Sequence, residues 1–72
     1  MIMLTMTKAG ENVMVARVGG NPEMKKHLED LGFVPGTPVQ IISQHHGDVI
    51  VKLKEARLAI TEQMAGHVMV QD

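Results

Sequence analysis

Four histidines, eight carboxylates and seven cationic side chains supply all the ionisable chemistry of this 72-residue chain, which has no cysteine. The tightest cluster is His45, His46 and Asp48, disposed around Gly47. Imidazole nitrogen with carboxylate oxygen is a donor set that suits a divalent transition metal. A metal site needs three or four donors that converge, however, and neighbouring residues of a strand point to opposite faces. His45 and His46 therefore meet only across a sharp bend, and His27 and His67 lie far away in sequence. Polar hairpin residues are the favoured reading, with a metal held by His45, His46 and Asp48 as the alternative.

Ser43, His45 and Asp48 also contain the residue types of a hydrolytic triad, but nothing supplies an oxyanion hole or a positioned general base. No G-x-S-x-G elbow, G-x-x-x-x-G-K-[ST] loop or G-x-G-x-x-G turn occurs, and a domain this small has little room for a water-excluding pocket. The chain reads as a non-enzyme without a bound cofactor.

Length and composition point to one domain over residues 1–72. A chain of this size buries only about 60% of its unfolded surface, so the core is small. The formal net charge is -1 and the Lys and Arg residues are scattered, which speaks against nucleic acid as a partner and leaves protein. Absence of cysteine fits a reducing compartment and hence the cytoplasm. The apolar opening MIMLTM is far shorter than the roughly 20 residues that span a bilayer, and it reads as a strand.

The elements that position these groups follow from pattern. Asn12 to Val18 is β-rich and ends at Gly19-Gly20; its apolar residues fall on both faces, as in a strand buried on both sides or one with a bulge. Asn21-Pro22 reads as a helix start, and Met24, Leu28 and Leu31 form one apolar stripe over about three turns. Gly32 suits a left-handed cap, with Phe33 folding back on Leu28 in a Schellman motif. Val34-Pro35-Gly36-Thr37 has the residues of a type II turn, and Pro38 opens a strand. Residues 39 to 44 and 48 to 54 read as a hairpin, 57 to 60 as a further strand after a turn at Glu55-Ala56, and 67 to 70 as the last strand. Thr61 is placed to cap one helical turn before it. The expected fold is mainly β: a small SH3-like barrel of five to six strands, with one α-helix inserted at about residues 22–31 and a one-turn helix before the last strand. Met14, Met24 and Met64 read as core fillers.

The segments LEDLGFVPGTPVQI and DVIVKLKEARLAITEQMAGHVMV resemble the FeoA family, the ferrous iron transport protein A domains of bacteria. The likeness is carried by Leu28 and Leu31 before Gly32, the Pro35-Gly36 turn, Leu58-Ala59-Ile60, Ala65 and the closing Val68-x-Val70, with Gly10 before the first long strand. It implies an SH3-like, cytosolic, non-enzymatic accessory of ferrous iron uptake. The implied partner is a membrane-embedded, FeoB-type ferrous iron transporter with a cytosolic GTPase domain, so that the membrane is met only through that partner; weak self-association stays open. On this reading Met24, Leu31, Phe33, Val34 and Pro35 supply apolar contact and Lys25 and Lys26 supply charge steering. The alternative is a metal-responsive domain that binds a divalent ion through its loop histidines.

Overall fold

The β-rich runs become six strands in the computed structural model, which describes residues 1–72. They are β1 (Ile2–Met3), β2 (Asn12–Val18), β3 (Pro38–His45), β4 (Asp48–Leu53), β5 (Ala56–Ile60) and β6 (Val68–Gln71). Two helices accompany them, α1 (Pro22–Asp30) and the single turn α2 (Glu62–Ala65). All strand pairings are antiparallel, in the order β1-β6-β2-β3-β4-β5. This is the expected mainly β, SH3-like architecture with its inserted helix.

The inner face of the sheet holds Val13, Val15, Val39, Ile41, Val49, Val51, Ile60, Val68 and Val70, all essentially excluded from solvent. β2 reconciles its two-faced pattern by a bulge. Val15 pairs with Val70 and Arg17 with Met69, so Ala16 is the extra residue, and the shift brings Val18 inward alongside Val13 and Val15. Met14 stays outside at 39% exposure, because it precedes the bulge and keeps the outward phase; it is not a core filler. Met24 and Met64 do pack on the core. A second irregularity, between Ile41 and Ser43, bends β3.

Three expectations shift in detail. MIMLTM is a strand for two residues only, after which Leu4–Met6 turns as a 3-10 helix. That turn carries Leu4 into the core with no exposed surface, and the Thr7 hydroxyl donates to the Leu4 carbonyl at 2.7 Å. Leu53 pairs with Ala56, so the β4-β5 turn is Lys54-Glu55, one residue earlier than the composition suggests, and Lys54 takes φ 55°. The hydrogen-bonded ladder also does not close into a cylinder: β1 and β5 are its two ends. The seam is packed instead by the Leu4–Met6 turn, which contacts α2, β4 and β6, and Gln44 Nε2 reaches across to the Thr5 carbonyl.

Gly32 has φ +112°, a region costing an L-residue about 1–2 kcal/mol. Gly19 has no such angle, and a Cβ there meets only the His67 carbonyl at 3.7 Å. Urea denaturation of Gly32→Ala should therefore show a loss of about 1–2 kcal/mol. Gly19→Ala should stay within about 0.5 kcal/mol of the parent.

Candidate docking surface

The helix and the bend after it are held at both ends. Asn21 Oδ1 accepts from the Met24 amide at 2.8 Å, and Pro22 occupies the first helical position, where no amide donor is needed. At the other end Phe33 N donates to the Leu28 carbonyl and Gly32 N to the Glu29 carbonyl, both at 3.0 Å, the bond pair of a Schellman motif. Thr37 N then donates to the Val34 carbonyl at 3.1 Å and Gly36 has φ +92°, closing the type II turn. Val15 of β2 grips this turn: its amide donates to the Thr37 carbonyl at 2.9 Å and its carbonyl accepts from Gly36 N at 2.8 Å.

The result is a rigid tip that presents Val34, 41% exposed, and the exposed Pro35 to solvent. Lys25 and Lys26 are exposed on the helix, while Met24 and Leu31 are half-buried against the core. Phe33 drops out of the expected contact set. Its ring has no exposed surface, because the Schellman bend turns it under the helix onto the core with Leu28, so it supports the tip from beneath.

The remaining residues do not make one continuous face. Met24 lines a shallow depression of about 240 Å³ with Asn21, Glu23 and His27. Leu31 lies about 10 Å further along the axis, given 1.5 Å of rise per residue. It opens on a larger groove of about 460 Å³, formed with Gly32, Thr37, Leu53, Lys54, Glu55 and Ala56. The β4-β5 turn therefore forms the far wall beside the tip. Its sequence signal is the short β4-β5 hairpin, whose turn comes back beside the residues that follow the helix.

The histidine cluster is a tight hairpin rather than a ligand set. His45 pairs with Asp48, and the two turn residues both have positive φ, 53° at His46 and 91° at Gly47. The His45 and His46 rings meet edge to face with centroids 4.4 Å apart. Asp48 Oδ1 accepts from the Glu62 amide at 2.7 Å, which commits that carboxylate to the start of α2. Thr61 Oγ1 accepts from Met64 N at 3.4 Å in the same turn. A Cβ at Gly47 would lie 2.6 Å from the exposed Glu62 side chain, which would have to swing aside. No three His, Asp or Glu side chains are grouped so as to hold a metal ion.

These contacts assign Asp48 and His46 structural roles. Asp48→Ala should lower stability by about 1 kcal/mol in urea denaturation, the usual effect of losing a helix cap. His46→Gly should raise it by up to about 1 kcal/mol, since glycine takes the left-handed angle without strain.

Comparison with known proteins gives a consistent set of likenesses. A family model described as the FeoA domain matches residues 2–72. A curated protein of Methanocaldococcus jannaschii, provisionally named Fe(2+) transport protein A, is 29% identical over 72 residues, covering 100% of this chain and 88% of its own. The crystal structure of an iron uptake regulatory protein (FeoA) superposes with a TM-score of 0.90 at 28% identity, over 97% of this chain and 95% of that one. FeoA of Stenotrophomonas maltophilia, complexed with zinc and described as a prokaryotic SH3 domain protein, gives a TM-score of 0.83 at 23% identity over 99% and 91% of the two chains. At that identity the last likeness concerns the fold alone.

Proposed function

The chain belongs to the FeoA family, and from that membership we propose that it is a small accessory of ferrous iron uptake that acts by docking on another protein. The partner we propose is the cytosolic, GTPase-bearing part of a FeoB-type ferrous iron transporter. Ferrous iron is then the transporter's cargo, and the chain itself needs no metal and catalyses nothing. No helix is long and apolar enough to cross a membrane, so on this reading membrane contact comes through the partner.

One observation carries the reading: a solvent-facing apolar tip, Val34-Pro35, whose backbone is fixed by a Schellman motif, a type II turn and two bonds to Val15. Exposed apolar side chains on a mobile loop must be ordered when they bind, whereas this tip is already ordered, which lowers the cost of docking. Leu31 and the groove beside it extend the apolar contact, and Lys25 and Lys26 lie exposed on the adjoining helix, placed to steer an oppositely charged partner.

Calorimetric titration of the chain against the transporter's cytosolic part, with and without guanine nucleotide, tests this. Val34→Asp should weaken binding at least tenfold, equivalent to about 1.4 kcal/mol, by placing a carboxylate in the apolar centre of the contact. Lys25→Glu should act mainly on the association rate and its salt dependence. Binding unaffected by either substitution would remove the tip as the contact surface, and no binding at all would remove the partner.

A further inference from the structure

The sheet assembles a charge pattern that the linear sequence disperses. In its register Asn12 pairs with Gln40, Gln40 with Lys52, and Lys52 with Arg57, forming one polar row across the outer face of four strands. Lys52 and Arg57 are exposed cross-strand partners of like charge, an arrangement that disfavours the pair on its own. Lys54 follows on the turn, so three of the chain's seven Lys and Arg residues are gathered at this end. None of the three takes part in the side-chain hydrogen bonds of the fold.

The row ends at an open edge. β5 is the last strand of the sheet and packs along β4, which leaves the main-chain groups of its other side unpaired by any strand. Ala56, Arg57 and Ala59 on it are exposed, and Ala59, small and on the same face as Arg57, leaves room beside the cation. Such an edge is a template for one more strand, which main-chain bonds hold and alternate side chains select. Cations on it repel a basic segment and attract an acidic one.

We propose that the β5 edge accepts an extended acidic segment of a protein partner, which pairs with Ala56–Ile60 as a seventh strand and sets a carboxylate beside Arg57, within reach of Lys52. Lys54 lines both the groove beside the Val34-Pro35 tip and a second depression shared with Asn12, Gln40 and Lys52, so the two contact zones join through it. Nucleic acid fits the edge less well: β5 carries no ring side chain on which a base could stack, and the one phenylalanine, Phe33, is fully buried. The inference deepens the docking reading and rests on it for the partner's identity, but the edge can be tested without that partner.

The probe is an eight-residue peptide alternating glutamate and threonine, titrated into the isotope-labelled full chain and followed by amide chemical shifts and hydrogen exchange. A lysine-threonine peptide and an octauridylate serve as comparators. The acidic peptide should shift and protect β5 amides between Ala56 and Ile60, more weakly as salt rises. Arg57→Glu should reduce its affinity at least tenfold with the fold intact, and Ala59→Pro, which removes an edge donor, should act in the same direction where the spectrum outside β5 is unchanged. Shifts confined to Leu31–Gly36, equal binding of the basic peptide, preference for octauridylate, or no shift at β5 up to millimolar peptide would each overturn the proposal. Because the transporter is absent, these results stand or fall separately from the Val34→Asp titration.

Discussion

One benzene ring under a helix end sets the geometry of this molecule. Phe33 is the only aromatic residue of the chain and it is wholly buried with Leu28, at the point where the backbone leaves the helix. Truncating a ring so placed typically removes about 3–5 kcal/mol, against a total of about 4–11 kcal/mol for a chain of this length. The helix has no other deep anchor, since Leu28 is its single fully buried side chain and Met24 and Leu31 are only partly covered. Ring burial and glycine-terminated bend are therefore one constraint: the bend turns the ring inward, and the ring makes the bend worth keeping.

Local signals of this kind were legible in the sequence because they act over three or four residues. Asn21-Pro22 at the helix start, Gly32 at its end, Pro35-Gly36 in the turn and Thr61 before α2 each satisfy a named backbone group, and each occupies the expected place. Phases of strands were less legible. A bulge at Ala16 costs no unusual residue, yet it turns Val18 inward while Met14, before it, keeps facing out, because a one-residue offset exchanges the two faces of a strand. The β4-β5 turn was misplaced by one residue for a related reason: Lys54 accepts a left-handed angle that composition alone assigns to glycine or asparagine.

The candidate surface was legible only in part. Lys25 and Lys26 follow from their place opposite the helix's apolar stripe, Val34 and Pro35 from the turn after Phe33, and all four are exposed. Phe33 was misjudged because its role as the clasp and its use as a contact cannot both hold. Residues from the β4-β5 hairpin that face the tip have no sequence proximity to it, so only tertiary packing brings Leu53, Lys54 and Ala56 beside Leu31. The histidines illustrate the converse: His45, His46 and Asp48 are adjacent in sequence, and the chain spends them on a hairpin turn and the cap of α2.

The Leu4–Met6 turn stands where a closed cylinder would have a row of main-chain bonds. Closure there depends on Leu4 and its neighbours, not on a ladder that any residue can extend. The seam is thus held by side-chain packing and the Gln44-Thr5 bond, where the rest of the circumference is held by main-chain ladders. An insertion between Thr7 and Lys8 would leave in place the bonds that tie Gly10 and Glu11 to Ile41, so added length there would spare the helix and its tip.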